Sequence, residues 1–261
     1  MSIAFFDSGI GGITVLHEAL KMLPSEDYIY FADRLNAPYG TKSREEVREL
    51  VFNAVDYIVS LGVTAVVIAC NTATSVAIEE LRKRYSIPVI GMEPAVKPAV
   101  ERTGGTQKRV LVTATPLTLK EEKLKNLIDR IDNEHIVDLL PLPGLVQFAE
   151  NFEFREKTVS QYLIKELAPC DLKRYGTIVL GCTHFIFYRN LLKKIIPHGI
   201  DIVDGNTGTI NHLKKVIDSK KNPGTGNGKI KWYCSGSPVK DVKRLAEFEL
   251  LMLILDTAEK S

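Results

Sequence analysis

Short runs of β-branched and aromatic residues recur along this chain, each followed by turn chemistry and then by a helical pattern. The runs are Ile3–Phe6, Tyr28–Ala32, Val63–Ala69, Pro88–Ile90, Val110–Ala114, Thr177–Leu180 and Asp201–Val203. Strand followed by helix, repeated, predicts βα units and mostly parallel sheets. Val63-Thr64-Ala65-Val66-Val67-Ile68-Ala69 is almost continuously apolar, which suits a strand covered by helices on both faces. The clearest helical pattern spans 44–61, with Val47, Leu50, Val51, Ala54, Ile58 and Leu61 on one face. Ser43 and Glu46, three residues apart, predict a capping box at its start.

The chain has 261 residues, room for one large domain or two modest ones. Composition shifts at Pro94 to Gly105, before a fresh strand, and again at Gly205 to Gly208. Ser219 to Lys229 reads as a mobile surface loop ahead of a last strand, Ile230–Cys234. With 45% hydrophobic and 25% charged residues the chain has an ordinary globular composition, and a net charge of +2 gives no reason to expect nucleic acid or a membrane surface as partner. The start lacks the basic region of a secretion signal, and the most apolar run, Leu250 to Leu255, is far too short to span a bilayer. A cytoplasmic location with reduced thiols is expected.

Cys70, Cys170, Cys182 and Cys234 form no CxxC pair and show no metal-ligand spacing, so no metal site is expected. Two of them share a context. Cys70 follows an expected strand and precedes Asn71-Thr72 and a helical pattern; Cys182 follows Thr177–Leu180 and Gly181 and precedes Thr183-His184 and another helical pattern. In open parallel sheets ligands bind beyond the carboxyl ends of the strands, so both thiols fall where a ligand would sit. A helix start favours thiolate, and a His two residues after a Cys can orient or protonate it. Cys170, Cys234, His17, His135, His198 and His212 lack such company and read as packing or surface residues.

Asp7-Ser8-Gly9-Ile10-Gly11-Gly12 follows the first strand and opens a helix, leaving backbone N–H groups free for an anion. It does not complete a dinucleotide fingerprint, because position 14 is Thr, and there is no P-loop and no G-x-S-x-G elbow. Two facing thiols suit one kind of chemistry: taking a proton from an amino-acid α-carbon on one side and returning one on the other. A thiol of ordinary pKa about 8.5 can be tuned to act as base or acid near neutrality, with Asp7 and His184 as tuning partners. No lysine stands out as a Schiff-base site, so no cofactor is expected.

The segments Asp7-Ser8-Gly9-Ile10-Gly11-Gly12, Pro38-Tyr39-Gly40, Cys70-Asn71-Thr72-Ala73, Ala114-Thr115 followed by Thr118, and Gly181-Cys182-Thr183-His184 together resemble those of the glutamate racemases. The order and spacing match from residue 3 to about 206; beyond Gly208 only Trp232-Tyr233-Cys234-Ser235-Gly236 matches. The resemblance implies two pseudo-symmetric α/β domains, 1–95 with 209–261 and 96–208, and an active site in the cleft between them. It implies that Cys70 deprotonates D-glutamate with help from Asp7, that Cys182 deprotonates L-glutamate with help from His184, and that Glu150 stands near the second thiol. Asp7, Ser8, Tyr39, Gly40, Asn71, Thr72, Thr115, Thr118, Thr183 and His184 would hold the substrate, with Asp33 a looser match.

Two departures are visible: Leu142-Pro143-Gly144 replaces the family's Cys-Pro pattern, and Leu119-Lys120-Glu121-Glu122 follows Thr118 where a Ser and a Tyr are common. The implied product feeds cell-wall peptidoglycan. Aspartate as substrate is the nearest alternative, and a non-catalytic amino-acid-binding module is a third. A homodimer is possible, with the Leu250–Leu255 run either its seam or one side of a buried C-terminal helix.

Overall fold

The computed structural model describes residues 2–219 and 226–259. Among the described residues ten strands form two sheets: β1 (Ser2–Asp7), β2 (Asp27–Ala32), β3 (Ala65–Ile68), β4 (Val89–Gly91), β5 (Arg109–Ala114), β6 (Val137–Pro141), β7 (Tyr175–Leu180), β8 (Asp201–Asp204), β9 (Ile230–Cys234) and β10 (Ser237–Pro238). The first sheet has the order β10-β9-β2-β1-β3-β4 and the second β6-β5-β7-β8. Every pairing is parallel except β9 with β10, as the strand–helix alternation predicts. Residues 230–238 return to the first sheet, β9 pairing beside β2 from Tyr28↔Ile230 to Ala32↔Cys234.

In the inner strands, period-two alternation divides the side chains between two buried faces. In β1, Ile3 and Phe5 enter a core that runs on to Ile178 and Leu180 of the second sheet, while Ala4 and Phe6 enter a separate core with Val47, Val51 and Ile58. Leu111 faces the shared core, whereas Val110 and Val112 pack with Val179 and Leu124 on the far side of the second sheet. The shared core joins the two sheets into one body around the strand ends.

The predicted long helix is present as Arg44–Ser60, with Leu61 as its C-cap, and Ser43 Oγ accepts the Glu46 N–H at 3.2 Å. Val47, Val51, Ala54 and Ile58 are buried, while Leu50 and Leu61 are partly so. Strand limits differ from the sequence reading: Val63–Ala69 contracts to Ala65–Ile68, and Pro88–Ile90 shifts to Val89–Gly91. β6 was not expected at all. It is an edge strand whose apolar run is interrupted by Asp138 and ended by Pro141, and its residues are intermediate or exposed.

Of the surface loop expected at 219–229, residues 220–225 lie outside the described residues. Its end docks on the turn before β2, the Gly226 and Gly228 N–H groups donating to the Ser25 and Glu26 carbonyls at 2.8 and 3.0 Å. The C-terminal helix Val242–Glu259 packs against the helix Ile13–Met22. It buries Phe248, Leu251 and Leu255 and leaves Leu250 and Leu253 exposed. Among the described residues no helix is long and apolar enough to cross a membrane.

Candidate active site

The expected site residues converge at the carboxyl ends of the strands. Asp7 closes β1; Tyr39 and Gly40 lie on a 3-10 turn, Tyr39–Thr41; Cys70 follows β3; Thr115 follows β5; Cys182 follows β7. Asp7, Ser8, Tyr39, Cys70, Asn71, Thr72, Thr115, Thr118, Cys182, Thr183 and His184 are all buried.

Cys70 caps the helix Asn71–Arg84. Its Sγ accepts the Ala73 N–H at 3.4 Å, and its thiol donates to Ser8 Oγ at 3.6 Å. Burial pushes this thiol up to about 12, and the Asp7 charge adds to the rise, outweighing the Ala73 and Ser8 hydrogen bonds. A thiol raised in this way favours its protonated form. The Cys182 charge acts in the same direction on Cys70, so the two thiols share one electrostatic neighbourhood.

The second thiol sits differently from the first. Cys182 precedes a 3-10 turn, Thr183–Tyr188, rather than an α-helix, and accepts no cap hydrogen bond, so the matched helix starts inferred from sequence are only half realised. Its partner is instead a side chain: Cys182 Sγ lies 3.7 Å from His184 Nδ1, and His184 Nε2 lies 2.7 Å from Glu150 Oε1. Burial alone would lower the His184 pKa, but its hydrogen bonds to Cys182 and Glu150, and their charges, hold it well above the ordinary 6.5. Burial likewise works to raise Glu150, and the hydrogen bond and charge of His184, the Ile10 N–H and Arg34 overcome it to hold the carboxylate below its ordinary range. The result is a row from thiol through imidazole to carboxylate, in which His184 can take the Cys182 proton while Glu150 stabilises the imidazolium.

The glycine-rich turn binds anions, as its N–H groups suggest, but the anions belong to the protein. The Gly9 N–H donates to Asp7 Oδ1 at 2.9 Å and the Ile10 N–H to Glu150 Oε1 at 2.7 Å. A Cβ on Gly9 would collide with the Glu150 carboxylate, and one on Gly11 with Thr183 and His184. The turn therefore lets the second sheet's residues approach the first sheet's backbone. Thr183 Oγ1 completes the link by donating to Asp7 Oδ2 at 3.1 Å. Burial raises the Asp7 pKa above its ordinary 3.8, against the lowering effects of the His184 charge, the Gly9 N–H and the Thr183 hydroxyl.

On the opposite rim three hydroxyls close a ring: Thr72 with Thr115 at 2.9 Å, Thr72 with Thr118 at 3.0 Å and Thr115 with Thr118 at 2.9 Å. Hydroxyls both donate and accept, so each can turn from its neighbour to a carboxylate or ammonium group. Asp33 does not join this set. Its Oδ2 accepts from Tyr39 OH at 2.6 Å and its Oδ1 from Ser235 Oγ at 2.9 Å, so it anchors Tyr39 to the loop after β9. The sequence reading missed Arg34, which reaches Glu150, and Tyr30, whose hydroxyl donates to the Gly9 carbonyl at 2.8 Å. No local spacing marks either: β2 lying beside β1 brings Tyr30 to Gly9, and Arg34 meets Glu150 from 116 residues away in sequence. Among the described residues no group of three or more His, Cys, Asp or Glu side chains is placed to hold a metal ion.

Two mostly parallel sheets whose strand ends carry the buried Cys70 and Cys182 define a protein of the α/β class. A sequence model of the Asp/Glu/hydantoin racemase family matches residues 13–213. Glutamate racemase 2 of Bacillus subtilis is 52% identical over 261 residues, covering 100% of this chain and 98% of that protein. The Escherichia coli glutamate racemase solved with L-glutamate and the activator UDP-MurNAc-ala superposes with a TM-score of 0.82 at 27% identity, over 97% of this chain and 95% of that one. The Francisella tularensis glutamate racemase solved with D-glutamate gives 0.80 at 27% identity, over 97% and 93%. The chain belongs to the Asp/Glu/hydantoin racemase family and is an isomerase of the racemase class.

Proposed function

We propose that the chain interconverts L- and D-glutamate by cofactor-independent, two-base proton transfer, with Cys182 and Cys70 as the bases on opposite faces of the α-carbon. The observation that carries this reading is the pair of buried thiols, one after β3 and one after β7, each with a different acid–base companion. Starting from L-glutamate, His184 takes the Cys182 proton, the thiolate removes the α-hydrogen, and the Cys70 thiol protonates the carbanion from the other side. Starting from D-glutamate, the roles reverse, and Asp7 serves Cys70. The ring of Thr72, Thr115 and Thr118, with Ser8, Tyr39, Gly40, Asn71 and Thr183, holds the carboxylates and the ammonium group through neutral hydrogen bonds.

The domains of this reading are 1–95 with 209–261, carrying Cys70, and 96–208, carrying Cys182. The D-glutamate formed supplies peptidoglycan synthesis in the cytoplasm, where reducing conditions keep all four cysteines free. The test is to follow optical rotation with L- and D-glutamate and with L- and D-aspartate side by side, for the unaltered chain and for Cys70→Ser and Cys182→Ser. Turnover of both glutamate enantiomers, lost in each variant without loss of thermal stability, supports the reading. Faster turnover of aspartate overturns the substrate, and near-normal turnover by either variant overturns the mechanism.

A further inference from the structure

Arg34 follows β2 and Asp33 and lies between three parts of the chain. Its Nε is 3.3 Å from Glu150 Oε2, its Nη2 donates to the Glu150 main-chain carbonyl at 3.2 Å, and its Nη1 donates to Glu247 Oε2 of the C-terminal helix at 3.3 Å. The guanidinium lies over the Phe152 ring, 5.7 Å from its centroid. Its side chain is 16% exposed and that of Glu150 15%, so solvent screens the pair little. The Glu150 oxygens are divided: Oε1 takes the Ile10 N–H and His184, and Oε2 is turned to Arg34.

We propose that Arg34 is a positioning residue for the Cys182 side of the site: by gripping both the carboxylate and the main-chain carbonyl of Glu150, it fixes that carboxylate against His184 and so sets how His184 serves Cys182. This deepens the two-thiol reading and rests on it. A planar fork suits the task, since one cation holds two acceptors of the same residue in fixed relative positions. The charged and titratable groups around the Glu150–His184 pair are Arg34, Asp7, Cys182, Tyr30 and Tyr188, with Glu247 behind Arg34. Removing the Arg34 cation raises the proton affinity of the pair, and removing the Glu247 anion lowers it.

The L and D enantiomers have equal free energy, so any variant loses kcat/KM equally in both directions, and a rate loss alone does not say which side was hurt. Two other readouts do. Arg34→Met should move the acid limb of the kcat/KM profile up by about one pH unit, a loss of about tenfold on that limb. It should also raise the Cα-deuterium isotope effect on kcat/KM for L-glutamate while lowering it for D-glutamate, because transfer at Cys182 becomes the slower step. Arg34→Lys, which returns the charge without the fork, should restore the limb but leave the isotope effects shifted, and Glu247→Gln should move the limb down.

Unchanged isotope effects in Arg34→Met, isotope effects that change alike for the two enantiomers, or a limb that Glu247→Gln moves upward would each overturn the proposal. If the unaltered chain converts neither enantiomer, the substrate reading fails while the role of Arg34 is still measurable. NMR titration of His184 then shows its pKa higher in Arg34→Met than in the unaltered chain, and an unmoved His184 refutes the clasp. Should Arg34→Met not fold, Glu247→Gln gives the same titration with the opposite sign.

Discussion

Glu150→Gln removes one negative charge and almost no volume. A glutamine keeps the carbonyl oxygen that accepts from the Ile10 N–H and from His184, both at 2.7 Å, so the turn and the imidazole stay in place. What changes is the field at His184. Two unit charges with centres about 4 Å apart interact by roughly 4 kcal/mol at an effective dielectric constant near 20, equivalent to about 3 pH units. The Arg34 cation opposes the imidazolium and remains, so the His184 pKa should fall by about 2 to 3 units from its raised position. An imidazole so weakened is a poorer acceptor for the Cys182 proton. The loss in kcat/KM should exceed about tenfold and stay below the roughly 10²- to 10⁴-fold worth of a complete general base. The assay is NMR titration of the His184 imidazole alongside racemisation from pH 5 to 10, a range spanning the ordinary His and Cys values of about 6.5 and 8.5. If His184 titrates as in the unaltered chain, or if the rate stays within about twofold, the thiol–imidazole–carboxylate row does not work as described.

Asp7→Asn should stabilise the fold at neutral pH while abolishing most activity. The folded-state pKa of Asp7 lies above 3.8, so the stability it contributes is fully present below 3.8 and lost as pH rises through the folded value. The melting-temperature advantage of the variant should therefore be present at pH 7 and shrink towards pH 4; an advantage that grows on acidification would show the sign to be wrong. Gly11→Ala should cost about 1–3 kcal/mol through overpacking against Thr183 and His184, with kcat lowered further than stability alone explains. Gly62→Ala meets no neighbour but a strained φ of +76°, so it should cost stability with no change in kcat. Thr72→Val should raise KM more than it lowers kcat, since it takes one hydroxyl from the ring without touching either thiol.

The parallel sheets were legible because inner strands carry apolar residues on both faces, as β1 and β3 do, and because helix starts are marked locally, as by Ser43. β6 was not, since Asp138, which serves Arg109 and Tyr175 instead of a core, interrupts its short apolar run and Pro141 ends it. At the site, Cys70 and Cys182 could be singled out by matching contexts. Their difference could not: a helix cap on one and an imidazole on the other depend on how the chain turns after each strand. The same holds for the turn after β1, whose free N–H groups pointed to an anion without revealing that Glu150, 140 residues away, is one of those they bind. Arg34 joins Glu150 to Glu247 through contacts between distant segments, which no local pattern encodes.

Two different bases acting on the two faces of one carbon leave their mark in where deuterium enters. L-glutamate incubated with the protein in deuterated water, and sampled before equilibrium, should give D-glutamate carrying deuterium at Cα, because the proton Cys70 delivers comes from solvent. The remaining L-glutamate should be almost unlabelled, because Cys182 returns the hydrogen it removed. Deuterium entering the L-glutamate pool as fast as it enters the product, or D-glutamate that keeps the original hydrogen, would refute a base on each face.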